Sequence, residues 1–232
     1  MGGFSLANRL PLADHVSYVG RFRFSMTTII IGDIHGCSRE FTALLHKVAP
    51  TSDDRLVLLG DLLNKGPDPV GVLETFESLD CVCLLGNHDF DHLRWKAGGH
   101  PKPESVLTRK LMPPPCYERY LELAGGMALY FENKELIAVH GGLLNGVALP
   151  EQPVEVITGD VNLDSSWKDQ IILDRPLVAG HKRYSPNQCE PYIVEGKFYG
   201  IDTGCVYGGC LTALWMPSGK IVQVHAARVY SD

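Results

Sequence analysis

The sequence predicts an α/β fold, because short apolar runs alternate with segments of helical periodicity. The runs are rich in Ile, Val and Leu, which is typical of buried strands. Their order, strand-helix-strand-helix-strand, implies parallel strands joined by right-handed crossovers. With 232 residues, 45% of them hydrophobic and 21% charged, the chain is long enough for one domain with a full core.

Three strands and two helices are predicted in the first part of the chain. Ser38 is expected to cap the first helix and Asp68 the second, where Pro69 suits the first helical turn. The predicted strands span 29–31, 56–59 and 81–85, and the helices carry apolar residues at Phe41, Leu44, Leu45 and Val48 and at Val72, Leu73, Phe76 and Leu79.

The remaining sequence predicts a surface loop, a further helix and a series of strands. Residues 98–115 are rich in Gly, Pro, Lys and Arg and are expected to form the loop. Short helices and loops are expected over 145–176, where the pattern is weak. The helix is expected near 117–123 and the strands near 127–131, 136–139, 177–179, 192–194, 198–201, 211–216 and 221–224, with a hairpin turn at 217–219.

Two regions are expected along the chain. Residues 1–25 show no clear periodicity and are expected to form a poorly ordered N-terminal extension. Residues 26–232 are expected to form the folded domain that carries the chemistry.

Composition restricts the compartment and the partners that we expect. A net charge of -6 disfavours binding of long nucleic acid, which usually requires a basic surface. No apolar run approaches the ~20 residues that span a bilayer, and no secretory signal is recognised, so we expect a cytoplasmic protein without a membrane partner. The seven cysteines are odd in number and include no CxxC pair, which indicates reduced thiols.

Candidate metal ligands follow five apolar runs, usually with a glycine beside them. In α/β sheets the carboxyl ends of the strands form the ligand site, so these residues are expected to converge. An Asp beside Gly is often only a turn former, and one buried His is more often a core residue. Five such ends in one chain favour a shared site. They carry Asp33 and His35, Asp61, Asn87 with His88 and Asp89, His140, and His181.

The residue types at these ends suit a pair of divalent cations. Carboxylates, neutral imidazoles and an amide oxygen bind such cations, and manganese is favoured, with iron, zinc or cobalt compatible. One carboxylate must bridge two ions that lie ~3.5–4 Å apart, and Asp61 is the expected bridge. Asp33 and His35 are expected to complete the first site, and Asn87, His140 and His181 the second.

These blocks resemble the calcineurin-like metallophosphoesterases of the phosphoprotein phosphatase type. The family pattern GD-x-HG, GD-x-x-DRG, GNH-D/E, HGG and GH is matched at 32–36, 60–66, 86–89, 140–142 and 180–181. The resemblance extends from Met26 to Val224 and implies a β-sandwich of mixed sheets flanked by α-helices. The segment 201–214 is similar to bacterial diadenosine tetraphosphatases and small bacterial protein phosphatases.

The second block departs from the family pattern, because Asn64-Lys65-Gly66 stands where Asp-Arg-Gly is usual. This pair resembles the diadenosine-tetraphosphatase-like phosphatases, a subgroup linked to phosphoanhydrides such as dinucleoside polyphosphates, capped RNA ends or polyphosphate. Asn64 is expected to accept an N–H bond from His88 without adding charge, which favours substrates with good leaving groups. The alternative is that Asn64 only packs.

The sequence therefore predicts a metal-dependent phosphoesterase that hydrolyses phosphoanhydrides such as dinucleoside polyphosphates through a metal-bridging hydroxide. His88 is the expected general acid, and Asn64 and Asp89 complete the catalytic set. Lys65, Arg183 and Tyr207 are expected to bind a small phosphorylated substrate. Two alternatives stay open, a serine/threonine phosphatase acting on a phosphoprotein and an inactive scaffold of the same fold.

Overall fold

Two β-sheets packed face to face form the centre of the computed structural model, which describes residues 18–19 and 27–231. The strands are β1 (Tyr18–Val19), β2 (Thr28–Ile31), β3 (Arg55–Leu58), β4 (Cys81–Cys83), β5 (Tyr130–Glu132), β6 (Ile137–Val139), β7 (Leu177–Ala179), β8 (Tyr192–Val194), β9 (Phe198–Gly200), β10 (Cys210–Met216) and β11 (Lys220–His225). The helices are α1 (Ser38–Val48), α2 (Pro69–Glu77), α3 (Asn87–Lys96), α4 (Pro103–Leu111), α5 (Pro114–Gly125), α6 (Val154–Ile157) and α7 (Trp167–Gln170).

Both sheets are mixed. The five-stranded sheet has the order β11-β10-β2-β3-β4, in which β2, β3 and β4 are parallel and β10 is antiparallel to β2. The six-stranded sheet has the order β1-β5-β6-β7-β9-β8, in which β6, β7 and β9 are parallel. The predicted β-sandwich of mixed sheets flanked by helices is confirmed, as is the parallel arrangement of the first three predicted strands.

Successive side chains of β2 pack into two different hydrophobic cores. Ile30 packs between the sheets, together with Val57 and residues of the six-stranded sheet. Ile29 and Ile31 point the other way, into the core under the helices, because successive side chains of a strand face opposite sides. Since β2 is apolar on both faces, it is held rigidly, and its carboxyl end has a fixed position for the residues that follow.

The predicted helix signals are confirmed in part. Asp68 caps α2 by accepting the N–H of Gly71 at 2.9 Å, as expected. Ser38 does not cap α1; its hydroxyl donates to Asp68 Oδ2 at 2.5 Å, and Cys37 occupies the cap position. The prediction of a loop over 98–115 was wrong in its centre, because this stretch contains helix α4. Pro103 occupies the first turn of α4, where proline is favourable.

One cysteine prediction was also wrong. Cys189 and Cys210 form a disulfide, with Cα atoms 4.9 Å apart, whereas the sequence indicated reduced thiols throughout. The bond joins the segment after β7 to the start of β10, across a sequence separation of 21 residues. A closed loop of this length stabilises a fold by about 3 kcal/mol. Cys37, Cys81, Cys83, Cys116 and Cys205 are free thiols.

Part of the predicted N-terminal extension is described. Tyr18–Val19 form β1, which pairs in parallel with β5, and the rest of 1–25 lies outside the described residues. The division into an extension and a domain beginning at 26 stays a prediction. Across the described ranges, the helices are too short or too polar to cross a membrane. The cytoplasmic location also stays a prediction.

Candidate metal centre

The predicted ligands meet at one edge of the sandwich, where strand ends of both sheets lie together. Asp33 and His35 follow β2, and Asp61 follows β3. From the other sheet, His140 follows β6 directly and His181 lies two residues beyond β7. Asp33, Asp61 and His140 are each at most 4% exposed, so the centre of this cluster is shielded from water.

Asp61 lies at the middle of the cluster. Its Oδ2 is 3.5 Å from His35 Nε2 and 3.4 Å from His140 Nε2. It belongs to two groups whose ligand atoms lie within 4.8 Å of one another, one with His35 and His88 and one with Asp33 and His140. A carboxylate shared by two ligand groups is the arrangement that two neighbouring cations require.

Asn87 joins the two histidines of the six-stranded sheet. Its Oδ1 is 3.3 Å from His140 Nε2 and 3.0 Å from His181 Nδ1. The second nitrogen of each ring forms a hydrogen bond away from Asn87. His140 Nδ1 donates to the Leu59 carbonyl at 2.8 Å, and His181 Nε2 donates to Asn162 Oδ1 at 3.3 Å. In the neutral rings these outer hydrogen bonds hold the proton on Nδ1 of His140 and on Nε2 of His181, so the other nitrogen of each ring is the one that could bind a cation.

Unusual backbone geometry is concentrated in the cluster. Positive φ angles occur at His35 (49°), Asp61 (51°), Lys65 (75°) and His181 (66°). Such a conformation costs an L-residue roughly 1–3 kcal/mol, and it persists where the surrounding structure imposes it. The strain therefore supports a functional interpretation of these four positions.

Two glycines allow the backbone to approach the carboxylates closely. A Cβ atom at Gly86 would lie 2.1 Å from Asp61 Oδ1, and a Cβ atom at Gly180 would lie 2.3 Å from Asp33 Oδ1. Any side chain at either position would displace a candidate ligand.

The buried carboxylates of the cluster need positive charge nearby to remain ionised. Burial and the charge of Asp202 raise the pKa of Asp33 well above its usual value. Burial opposes ionisation of Asp61, yet His140 and His88 outweigh it and lower the pKa of that carboxyl. Burial also opposes charging of His140, but Asp61 and Asp33 raise its pKa to about 10, so a proton on His140 balances the carboxylates.

Divalent cations fit this donor set. They would replace the proton on His140 as the source of positive charge beside the carboxylates. They would bind His35 through Nε2, the ring nitrogen that lies 3.5 Å from Asp61 Oδ2. The chain therefore carries candidate ligand groups for divalent metals.

Asp89 has a different position from the other predicted catalytic residues. It is fully buried, and Oδ2 accepts the N–H groups of Asp61 at 2.7 Å and Gly86 at 3.2 Å. Its Oδ1 accepts the Tyr120 hydroxyl at 2.6 Å and the Leu62 N–H at 3.3 Å. We interpret Asp89 as a residue that holds the Asp61 loop on α3.

The predicted acid and its partner lie together. Asn64 Nδ2 is 3.0 Å from His88 Nδ1, and both side chains are buried. Burial lowers the pKa of His88, so the neutral ring predominates in this environment. His88 is anchored at the start of α3, where its backbone N–H donates to Asp61 Oδ1 at 2.9 Å.

The three predicted substrate-binding residues also converge. The Lys65 ammonium lies 5.3 Å, and the Arg183 guanidinium 5.0 Å, from the centre of the Tyr207 ring. Lys65 Nζ is also 3.3 Å from His35 Nε2. Two cations and an aromatic ring thus border the ligand cluster on one side.

Asp202 is a site residue that sequence reasoning missed. It follows β9, and its Oδ1 accepts the Gly204 N–H at 2.9 Å. Burial raises the pKa of this carboxyl. The signal was present, because Asp202 also follows an apolar strand and precedes a Thr-Gly turn.

Sequence comparison places the chain in a known family. The sequence model of the calcineurin-like phosphoesterases matches residues 26–209. The chain belongs to the calcineurin-like phosphoesterases. As a member of this family it is a metal-dependent hydrolase, which agrees with the ligand groups at the sandwich edge.

Two relatives of this calcineurin-like phosphoesterase are similar over most of their length. Bis(5'-nucleosyl)-tetraphosphatase PrpE [asymmetrical] of Geobacillus thermodenitrificans (strain NG80-2) is 31% identical, over 84% of this chain and 92% of its own. The symmetrical bis(5'-nucleosyl)-tetraphosphatase of Citrobacter koseri is 43% identical, over 85% of this chain and 94% of its own. These two relatives are named for different cleavage patterns.

Solved structures show the same fold. A protein assigned as a diadenosine tetraphosphatase has a TM-score of 0.67 and 26% identity, covering 91% of this phosphoesterase and 99% of that chain. A protein serine/threonine phosphatase from Saccharomyces cerevisiae has a TM-score of 0.57, with coverage of 87% and 79%. At 12% identity it supports the fold alone.

Proposed function

We propose that this phosphoesterase hydrolyses a phosphoanhydride bond of a dinucleoside polyphosphate. The observation that carries the proposal is the position of Lys65, Arg183 and Tyr207 beside the Asp61 cluster. Two cations suit a chain of several phosphates, and an aromatic ring suits a nucleotide base. The names of the two relatives, bis(5'-nucleosyl)-tetraphosphatases, support the same substrate class.

In the proposal, the cluster holds two divalent cations. Asp33 and His35 would bind one, Asn87, His140 and His181 the other, and Asp61 both. The oxygen and nitrogen donors favour manganese and also suit iron, zinc or cobalt. When bound, such cations offset the charge of the phosphoryl group and lower the pKa of water.

The residues of the chain bind and orient the substrate in this proposal. Lys65 and Arg183 contact phosphoryl oxygens, Lys65 as a point charge and Arg183 as a planar fork. His88 donates a hydrogen bond to the oxygen of the leaving phosphate. Asp89 keeps the Asp61 loop fixed, so that the carboxylate does not move as charge develops.

A substrate panel tests the proposal. The purified chain with Mn²⁺ would be assayed on a dinucleoside tetraphosphate, polyphosphate, capped RNA and a phosphoserine peptide, with products separated by anion-exchange chromatography. We expect the highest kcat/KM on the dinucleoside tetraphosphate, and its nucleotide products reveal whether cleavage is symmetrical. A highest value on the phosphopeptide would establish the serine/threonine phosphatase alternative instead. Inactivity on every substrate, with each of the four metals, would favour a scaffold.

Removing the cation of Lys65 is expected to weaken substrate binding. Lys65→Met should raise KM for the dinucleoside tetraphosphate roughly ten-fold, the effect of losing one charged hydrogen bond. Arg183→Met should have a similar effect. Steady-state kinetics would measure both, with Lys134→Met as the control, because Lys134 is exposed and pairs with Glu135. An unchanged KM in both variants would remove these residues from the substrate site.

A further inference from the structure

The substitution of Asn for Asp at position 64 lies within a buried hydrogen-bond network. We define the Asn64 network as Asp91, Ser105, Asn64, His92, Tyr117 and His88, each at most 7% exposed. Water is largely excluded from these residues, so each donor must find its acceptor within the network. Counting donors and acceptors therefore fixes the direction of the bonds.

The direction is set at Asp91, which lies at one end of the network. Asp91 is a carboxylate that accepts the Lys102 N–H at Oδ2, at 2.8 Å, and pairs at Oδ1 with the Arg94 guanidinium, at 3.2 Å. Ser105 Oγ therefore donates its one hydrogen to Asp91 Oδ2, at 2.7 Å. The same oxygen is 3.0 Å from the Asn64 side chain and must accept there, so the amide nitrogen Nδ2 faces Ser105.

The same amide nitrogen fixes the direction of the hydrogen bond to His88. Nδ2 carries two hydrogens; one goes to Ser105 Oγ and the second to His88 Nδ1, at 3.0 Å. His88 Nδ1 is thus an acceptor, and the proton of the neutral ring is on Nε2. The sequence-based expectation that Asn64 accepts from His88 is reversed.

The other side of the amide confirms the assignment. Asn64 Oδ1 accepts from His92 Nε2 at 2.8 Å, and His92 Nδ1 then accepts from the Tyr117 hydroxyl at 2.9 Å. Every member of the network has a matched partner. A flipped amide would set Oδ1 against Ser105 Oγ, whose hydrogen is committed to Asp91, and that bond would be lost.

The structure assigns Asp91 and Ser105 as positioning residues that act through Asn64 to hold His88 with Nδ1 as the acceptor and Nε2–H as the donor, which restricts efficient hydrolysis to phosphoanhydrides. This assignment rests on the proposed function of the same site. A carboxylate at position 64 could only accept and would require a hydrogen on Nδ1, whereas the Asn64 N–H group requires a lone pair there.

The chemical consequence concerns the leaving group. In the hydrolytic step a P–O bond to water forms and the anhydride P–O bond breaks. The electron pair of the broken bond stays on the leaving phosphate oxygen, and water releases its proton to solvent. A neutral N–H group can stabilise that anion by hydrogen bonding alone. The alkoxide of a serine ester needs a full proton, which a neutral imidazole does not readily give.

Histidine-selective ¹⁵N NMR tests the assignment independently of activity. In metal-free protein and in protein loaded with diamagnetic Zn²⁺, we expect the His88 signals of an Nε2–H tautomer. Ser105→Ala should produce a mixed tautomer population, and Ser105→Thr, which keeps the hydroxyl, should restore the original one. An Nδ1–H tautomer in the unaltered protein would overturn the assignment.

Kinetics supply the second readout. Ser105→Ala should lower kcat on a dinucleoside tetraphosphate by about 10- to 100-fold with little change in KM, and Ser105→Thr should recover it. Asn64→Asp should raise the ratio of kcat/KM for phenyl phosphate to that for the tetraphosphate by about ten-fold or more. Ser218→Ala, in the exposed β10–β11 turn, is the matched control.

These results separate the two proposals. If the unaltered protein cleaves no anhydride, the proposed function fails, while the His88 tautomer still tests the network. If anhydrides are cleaved but Ser105→Ala keeps both the tautomer and kcat, or Asn64→Asp leaves the substrate ratio unchanged, the network assignment fails alone.

Discussion

Asp61→Asn is expected to lower kcat/KM on the dinucleoside tetraphosphate by about 10³-fold or more. Loss of a single group that stabilises developing charge costs about 10²–10³. Asp61 belongs to both ligand groups, so its replacement affects both proposed cation positions. Steady-state kinetics at saturating Mn²⁺ would measure the loss.

Metal binding gives Asp61→Asn a readout besides activity. At a Mn²⁺ concentration 100 times the dissociation constant, binding should raise the free energy of unfolding of the unaltered protein by about 2.7 kcal/mol. Chemical denaturation with and without Mn²⁺ would show this increase, and we expect it to be absent in Asp61→Asn. Asp53→Asn, at an exposed turn, is the control. A variant that retains the full increase would show that Asp61 is not a bridging ligand.

His88→Gln is expected to lower kcat on the dinucleoside tetraphosphate by about 10²–10³-fold. The change removes one preorganised donor from the leaving oxygen. The KM should change little, because the donor acts mainly as charge develops. Stopped-time assays with product separation would measure kcat.

Metal content distinguishes two roles of His88. The ring also lies in a possible ligand group with His35 and Asp61. If His88 is a donor, the variant should bind as much metal as the unaltered protein, as measured by elemental analysis. His100→Gln, at an exposed position between α3 and α4, is the control. Reduced metal content together with lost activity would make His88 a ligand, contrary to our proposal.

The sequence predicted the sandwich interior better than its surroundings. The run Ile29–Ile31 could be recognised because β2 is apolar on both faces, and a short continuous run of β-branched residues is typical of a buried strand. Helix α4 was missed because Lys102 and Pro103, at its N-terminus, have the composition of a loop. The Cys189–Cys210 bond was missed because a sequence separation of 21 carries no local signal.

The candidate metal ligands could be predicted from the sequence because each lies just after an apolar strand. Glycine beside Asp33 and Asp61 indicated strand ends, and parallel strand ends meet at one edge of a sheet. The Asn64 network was not predictable, because Ser105 lies on α4, far along the chain from Asn64. No local pattern relates the two, and only the fold brings α4 against the segment between β3 and α2 that carries Asn64.

The position of the cluster at the junction of the two layers has a mechanical consequence. Asp33 and Asp61 belong to one layer, His140 and His181 to the other, and apolar contacts of Ile30 and Val57 otherwise hold the layers together. Cations coordinated from both sides would join the layers through directed bonds. Ion release and separation of the layers would then be coupled, so that a motion which parts the sheets at this edge also dismantles the catalytic centre.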